Sequence, residues 1–265
     1  MYRLVLFIFQ FLLMIPVGRF HPHHKSIFQL FNLHITKKVP AILLASTFQC
    51  LTPLSCQSAT DLKYDEYSVV YDNLNGGNTA KLLGVDQLRA DAAQYVSGDV
   101  LEVAVGTGLQ VKYYNPNTLK SFTGVDQSQG MLKQAENKLA STLSTVSTRL
   151  RQMDAEQLQF NDDSFDTVVD TFSMCVIPRP ESAIKEMIRV AKPSGLVVLL
   201  ENTRSDNKLL GLFQDATEPA ITKLSKECRW NTDIKKITEQ NLNVRQIATK
   251  SIAGGTVQLN VYQKM

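Results

Sequence analysis

Short apolar runs of strand length alternate with helical patterns along the chain from Asp99 onwards. Continuous apolar runs of this length are typical of strands buried on both faces, and apolar residues spaced three and four apart indicate amphipathic helices. The predicted strands are 100–105, 121–126, 165–171 and 196–201, and the predicted helices are 129–140 and 181–192. Two further runs, 244–249 and 256–263, flank a glycine pair and predict a closing antiparallel pair. The pattern predicts an α/β fold with a mostly parallel sheet.

The first 60 residues have a different pattern. Residues 4–17 are apolar except for Gln10, and a second apolar run covers 39–45. This run of fourteen residues is shorter than the roughly 20 that a membrane-spanning helix needs. We therefore predict a cleaved targeting presequence over 1–60, directing the protein to a plastid or mitochondrion, followed by one domain over 61–265. An uncleaved membrane-associated N-terminus, at the endoplasmic reticulum or elsewhere, is the alternative.

Charge and residue types exclude several classes of function. The segment 1–60 holds five basic and no acidic residues, so the remainder carries 23 basic and 25 acidic residues, a net charge of −2. No nucleic-acid partner is expected for such a domain. All four histidines lie between His21 and His34, which argues against Ser/His hydrolase chemistry in the domain. The four cysteines show no ligand spacing, so no metal site is expected.

Candidate ligand-binding residues follow the first two predicted strands. Glu102 lies in the first strand, Gly106 and Gly108 form the turn after it, and Asp126 ends the second strand. Ligands of open α/β sheets bind at the carboxyl ends of the strands, where an acid can hold the hydroxyls of a ribose. The turn lacks the third glycine of a dinucleotide site, which favours S-adenosylmethionine over a nicotinamide cofactor. A plain glycine turn and a solvated aspartate remain the structural alternatives.

Longer motifs extend this pattern. They are LEVAVGTG at 101–108, GVDQSQGML at 124–132, MDAEQLQFNDDSFDTVV at 153–169 and IKEMIRVAKPSGLVVLLEN at 184–202, and YDEYSVVYD at 64–72 accompanies them. Together they resemble the class I S-adenosylmethionine-dependent methyltransferases of the ubiquinone/menaquinone C-methyltransferase type, also called methyltransferase type 11. The resemblance implies a Rossmann-like seven-stranded fold, mostly parallel with a C-terminal antiparallel pair, whose core is 98–202.

The same resemblance implies a cofactor site. Glu102 would face the methionine ammonium, Asp126 would hold the ribose and Asp154 would accept the adenine amino group, while Tyr71 closes the site. Ala104 stands where the family usually has glycine, and Met131 has core packing as its alternative role. The implied cofactor residues are Tyr71, Glu102, Ala104, Gly106, Gly108, Asp126, Met131, Asp154, Ala155 and Phe172.

The methyl acceptor is less determined. The stretches 168–195 and 213–234 resemble a thiol methyltransferase-like group and its mitochondrial and plant organellar relatives, which implies a small or lipophilic acceptor, thiol or quinol-like. We expect 205–241 to form a substrate-facing cap, with Phe213 and Trp230 as candidate substrate contacts. Asp170 is the candidate catalytic group, against an alternative role as a strand-end acid.

Two other functions remain open. A non-catalytic adenosylmethionine-binding assembly factor would share every binding motif, and a nicotinamide-dependent oxidoreductase would share the glycine turn and Asp126. Cys175 and Cys228 are expected to be buried small hydrophobes rather than participants. The expected partner is a small-molecule acceptor, with possible membrane association through the N-terminus, and the sequence leaves the oligomeric state open.

Overall fold

The computed structural model describes residues 64–69, 71–72, 84–224, 227–241 and 243–265. The helices are α1 (64–69 with 71–72), α2 (Val85–Ala93), α3 (Gln129–Thr142), α4 (Pro180–Val190), α5 (Lys208–Leu224) and α6 (Ile234–Glu239). The strands are β1 (Gly98–Val103), β2 (Leu119–Asp126), β3 (Ser147–Gln152), β4 (Phe165–Thr171), β5 (Ala191–Asn202), β6 (Val244–Ile252) and β7 (Val257–Lys264). Short 3-10 turns cover Val111–Tyr113, Pro116–Thr118 and Ala253–Gly255. The predicted presequence, 1–60, lies outside the described residues.

The strands form one seven-stranded sheet in the order β3-β2-β1-β4-β5-β7-β6. Strands β1 to β5 pair in parallel, whereas β7 runs antiparallel to both β5 and β6. This confirms the predicted Rossmann-like, mostly parallel sheet with its C-terminal antiparallel pair. Because the strand order reverses between β1 and β4, a crevice is expected at their carboxyl ends.

Apolar layers cover both faces of the sheet, and β1 contributes to each. Val100 packs in the layer that includes Leu139 of α3, and Leu101 packs in the opposite layer with Met187 of α4. Successive strand residues point to opposite faces, so Glu102 lies on the same face as Val100. An acid is therefore buried on an otherwise apolar face, directly before the turn that leads to the crevice.

Most predicted elements are present, and two boundaries carry information. The predicted strand 165–171 is β4 with the same bounds. The predicted helix 129–140 is α3, which extends two residues further, to Thr142. The prediction for 181–192 is wrong at its end, because the helix stops at Val190 and Ala191 already pairs with Phe165. Pro193 disfavours helical backbone before it, and Lys264 Nζ holds the carbonyl oxygen of Ala191 at 2.8 Å.

Four helices and strands were not predicted: α2, β3 and the two helices of the cap, α5 and α6. The sequence of β3, STRLRQ, contains a single large apolar residue, and its side chains are exposed or half-buried. It is an edge strand that pairs with β2 alone, so it needs no apolar face to be stable in the sheet. None of the described helices combines the length and apolar character needed to cross a membrane.

Candidate active site

A cavity of about 320 Å³ lies at the carboxyl ends of β1, β2 and β4. Its wall is built from the turns after these strands, from α1 and from the start of α3. Most of the predicted cofactor residues line it: Tyr71, Ala104, Gly106, Asp126, Met131, Asp154, Ala155 and Phe172. The structure thus brings these residues to one place, and what each of them binds stays a prediction.

The turn after β1 contains three residues with left-handed backbone. Ala104, Gly106 and Gly108 have φ angles of 49°, 56° and 77°. For an alanine this conformation costs about 1–2 kcal/mol. Ala104, which stands where the family usually has glycine, therefore has a strained backbone. Gly108 does not line the cavity, and its φ of 77° is what favours glycine at this position of the turn.

Asp126 joins two loops at the cavity wall. Its Oδ2 accepts the Gly106 backbone N–H at 2.9 Å, and its Oδ1 accepts the Ser128 backbone N–H at 2.8 Å. Desolvation raises the pKa of the carboxyl group to about 6, although both amides act to lower it. The carboxylate is therefore fixed in orientation and ionised at neutral pH, as a hydrogen-bond acceptor for ligand hydroxyls must be.

The start of α3 and the loop after β3 form the next part of the wall. Ser128 caps α3, because its Oγ accepts the Met131 backbone N–H at 3.1 Å. Met131 is only 2 % exposed, yet it borders the cavity, so it both packs in the core and faces the site. Asp154 Oδ1 accepts the Glu156 backbone N–H at 2.8 Å, which fixes the loop that carries Ala155.

The helix α1 covers the cavity and is held at both ends by aspartates. Asp65 Oδ1 accepts the Ser128 hydroxyl at 2.5 Å and the Gly130 backbone N–H at 2.7 Å. Seven residues on, Asp72 accepts the Thr107 hydroxyl and an ion-pair hydrogen bond from Lys138. Three tyrosines of this helix line the cavity with their rings edge to face: Tyr64, Tyr67 and Tyr71.

Comparison with known proteins agrees with this architecture. A family model described as a methyltransferase domain matches residues 101–199. Over 143 residues the chain is 38% identical to a phosphatidylethanolamine N-methyltransferase of Cereibacter sphaeroides, a match that spans 53% of this chain and 68% of that protein. This chain belongs to the class I S-adenosylmethionine-dependent methyltransferases.

Other relatives of the methyltransferase share less of their length with it. It is 31% identical over 172 residues to the ubiquinone/menaquinone biosynthesis C-methyltransferase UbiE of Azotobacter vinelandii, covering 60% of this chain and 63% of that one. It is 26% identical over 165 residues to the mitochondrial methyltransferase OMS1 of Saccharomyces cerevisiae, covering 56% and 34%. The structure of a candidate methyltransferase from Bacillus halodurans C-125 has the same fold, with a TM-score of 0.56, 17% identity and coverage of 67% and 97%.

S-adenosylmethionine, the methyl donor of this family, combines ribose hydroxyls, an ammonium, a carboxylate and a sulfonium. For the ribose hydroxyls the methyltransferase supplies an oriented carboxylate at Asp126, which the Gly106 amide holds at the cavity wall. Glu102 is 1 % exposed, does not line the cavity, and accepts the Tyr114 hydroxyl at 2.8 Å. Burial raises the pKa of Glu102 to about 8, so its predicted contact with the ammonium would require it to lose a proton.

Arg89 is a charged group at the site that sequence reasoning missed. It is 7 % exposed, donates to Gln110 Oε1 at 3.2 Å and to Thr171 Oγ1 at 3.3 Å, and lies 4.9 Å from the ring centroid of Phe172. Its charge also acts to lower the pKa of Glu102. Arg89 does not line the cavity, and it contacts the wall through Thr171 and Phe172, which do. Its signal in the sequence, one arginine within the unpredicted helix α2, was too small to single it out.

The cap approaches the cavity through a different residue than predicted. Phe213 and Trp230 pack edge to face, with ring centroids 6.1 Å apart, and neither lines the cavity. Their role in acceptor binding stays a prediction. Cys228 lines the cavity instead, together with Cys175 of the loop after β4, and the two thiols are hydrogen-bonded to each other. The Arg229 backbone N–H donates to the Cys175 carbonyl at 2.8 Å, which joins cap and core beside the thiols.

Asp170 lies behind the wall of the cavity. It is fully buried, and its Oδ1 accepts the hydroxyl of Ser173, which does line the cavity. The predicted catalytic candidate therefore reaches the cavity through a serine rather than directly.

Proposed function

We propose that this methyltransferase transfers the methyl group of S-adenosylmethionine to a small lipophilic acceptor, of the quinol or thiol class. The observation that carries the proposal is the division of the cavity into two halves. The polar half contains Asp126 and Asp154. The other half, after β4 and at the cap, is formed by uncharged side chains: Cys175, Val176, Ile177, Pro178 and Cys228.

The chemistry of methyl transfer is compatible with such a wall. The thioether of a sulfonium is already an activated leaving group, so the protein needs mainly to align the acceptor, exclude water and accept a proton. A quinol or thiol is neutral before the reaction and can enter an uncharged half-cavity without a large desolvation cost. The relatives support a lipophilic acceptor, because their names refer to ubiquinone, menaquinone and phosphatidylethanolamine.

The residue roles form part of the proposal. Asp126 holds the ribose hydroxyls, Met131 and Asp154 contact the adenine, and α1 closes the site through Tyr71. What supports these roles is their position on one wall and the fixed orientation of the Asp126 carboxylate. The cap, 205–241, is proposed to select the acceptor, supported by the place of Cys228 on the wall.

An organellar location is also proposed, with 1–60 as a cleaved presequence. It is supported by the absence of acidic residues from that segment and by the mitochondrial relative OMS1. The test is to isolate the protein from its native cells and to determine whether its N-terminal peptide begins at Met1. A protein that retains residues 1–60 would contradict cleavage.

The acceptor is tested with methyl-labelled S-adenosylmethionine and the full chain. Three acceptors are offered separately: 1,4-naphthoquinol, 1-octanethiol and vesicles of phosphatidylethanolamine. Label extracted with the quinol or the thiol is the expected result. Label on the phospholipid amine alone would move the acceptor to the class named for the relative from Cereibacter sphaeroides. Cofactor binding with no labelled product would favour the non-catalytic assembly factor.

A further inference from the structure

Two carboxyl groups are buried together behind the cavity wall, at the ends of β4 and β5. Asp170 and Glu201 are 0 % and 1 % exposed and are hydrogen-bonded to each other. Two ionised carboxylates cannot form a hydrogen bond, so one proton must lie between them. Asp170 Oδ2 and Glu201 Oε2 have no other partner in the described part of the chain, which identifies them as the atoms that share this proton.

Ser173 connects the acid pair with the cavity. Its hydroxyl donates to Asp170 Oδ1, its backbone N–H donates to Glu201 Oε1 at 2.9 Å, and the residue lines the cavity. The preceding residue, Phe172, has a φ of 61°, in the left-handed region that a non-glycine residue rarely adopts. This turn directs both donors of Ser173 to the two acids, and strained backbone of this kind is concentrated at functional sites.

The surroundings of the pair favour the protonated form. Burial raises the pKa of both groups, and the charge of Asp170 raises the pKa of Glu201 further. The hydrogen bonds from Glu201 and Ser173 act in the opposite direction on Asp170. The amides of Ser173 and Met174 act in the same lowering direction on Glu201. The pKa of both acids is nevertheless raised, so the proton belongs to the pair, while Asp170 Oδ1 accepts the Ser173 hydroxyl.

We propose that Ser173 and Asp170 accept the proton that the methyl acceptor loses, and that Glu201, hydrogen-bonded to Asp170 and to the Ser173 amide, positions Asp170 for this role. The proposal rests on the proposed function. The acceptor group donates its proton to Ser173 Oγ while the Ser173 hydroxyl proton passes to Asp170 Oδ1. The electron pair left on the acceptor atom forms the bond to the methyl carbon, and the pair of the broken carbon–sulfur bond stays on sulfur as a neutral thioether. The described residues contain no histidine, and Ser173 with Asp170 takes the role of general base instead.

Other titratable groups lie close enough to feel the pair. The charge of Asp170 acts on Glu102, on Tyr114 and on Cys175, and Glu201 acts on Cys175 as well. A pH profile must therefore separate Asp170 from Glu102, whose pKa is raised by burial to about 8. Comparing the wild type with Glu102→Gln does this, because a pH dependence that survives the substitution cannot come from Glu102.

The first test locates the proton in the full chain without any acceptor. Infrared difference spectra at neutral pH compare the wild type with Glu201→Gln and with Asp170→Asn. A protonated carboxyl band that shifts in heavy water and is lost in Glu201→Gln is the expected result. No such band in the wild type, with all variants folded by circular dichroism, would overturn the shared proton and with it the proposal.

The second test follows single-turnover methylation of 1,4-naphthoquinol and 1-octanethiol from pH 5 to 9. Ser173→Ala should lower the rate about 10²-fold, the size expected for one step of general-base catalysis, and should remove the rise with pH. Ser173→Thr, which keeps a hydroxyl, should restore most of the rate. Ser164→Ala, which removes a hydroxyl bonded to the Asn161 carbonyl in an exposed turn, should leave both unchanged.

A structural role for Ser173 makes a different prediction. It would lower the affinity for adenosylhomocysteine or the thermal stability and leave the shape of the pH profile intact, and that result would overturn the proposal. An unchanged rate in Ser173→Ala would do the same. If no acceptor turns over in the wild type, the acceptor assignment and the catalytic role of the relay both fail. The infrared band would still report the shared proton, so the two failures are distinguishable.

Discussion

Replacing Asp126 should remove most of the affinity for the cofactor. The carboxylate is held by the Gly106 and Ser128 amides at 2.9 and 2.8 Å, so its lone pairs are presented to the cavity in a fixed direction. A hydrogen bond to a charged group contributes about 1.5–3 kcal/mol, so two bonds to the ribose hydroxyls would contribute about 3–6 kcal/mol. Asp126→Ala should therefore weaken binding by about 10²- to 10⁴-fold.

Titration calorimetry of the full chain with S-adenosylmethionine and adenosylhomocysteine measures this loss. Asp126→Asn, which keeps one oxygen acceptor but places an amide donor beside backbone donors, should fall between wild type and alanine. The matched control is Asp206→Asn, an exposed aspartate outside the cavity. Because the alanine variant also leaves two backbone amides without their acceptor, its thermal unfolding is recorded in parallel.

The pH dependence gives an independent check on the same carboxylate. Desolvation raises the pKa of Asp126 to about 6, and only the ionised form can accept from both hydroxyls. In proteins that also carry Glu102→Gln, so that the titration of Glu102 is removed, affinity should be constant above pH 7 and fall about tenfold per unit below pH 6, while Asp126→Ala should show no such fall. Folded Asp126→Ala protein that binds with wild-type affinity would refute the assignment of this residue to the ribose.

Three further predictions follow from the described contacts. At pH 7 cofactor binding should release a proton from Glu102, because the pKa of this buried acid is raised to about 8. The heat of binding should therefore differ between phosphate and Tris buffers, and Glu102→Gln should abolish the difference. Equal heats in both buffers for the wild type would contradict the predicted ammonium contact. Gly130→Ala should weaken cofactor binding without destabilising α3. The Cβ of the new alanine would lie 2.7 Å from the Cα of Asp65 and would displace α1. Unchanged affinity would mean that α1 does not cover the cofactor. Ser194→Gly should raise the free energy of unfolding by roughly 0.5–1 kcal/mol, since Ser194 has a φ of 63°, and a lower urea midpoint would count against that strain.

The parts of the site that the sequence predicts best are those next to strands. Asp126 and the glycine turn follow buried apolar runs directly, so the strand pattern alone fixes their place at the carboxyl edge. The family motifs added Asp154 and Tyr71, which the cavity wall brings together with them. Local pattern and motif spacing are enough here, because the parallel topology aligns the strand ends.

The missed or misplaced features depend on contacts that a strand or helix pattern does not encode. Arg89 becomes part of the site only because α2 packs beside Thr171, 82 residues later in the chain. Phe213 and Trp230 were singled out as large aromatic residues in the cap, but they pack against each other. Which face of α5 meets the core depends on a 17-residue helix with Pro219 inside it, and an apolar pattern on such a helix leaves more than one face open.

The acid pair shows how a chemical property can arise from two unremarkable strand-end residues. Asp170 and Glu201 are each the last residue but one of their strands, β4 and β5, and each alone would be read as an ordinary acid near a strand end. The register pairs Thr171 with Leu200, so the two acids come from adjacent strands at the same edge. Burial then forces them to share a proton, and the left-handed turn at Phe172 supplies the serine that opens the pair to the cavity. A base of this kind belongs to the sheet register, so a one-residue shift of β5 against β4 would abolish it while leaving every motif in the sequence intact.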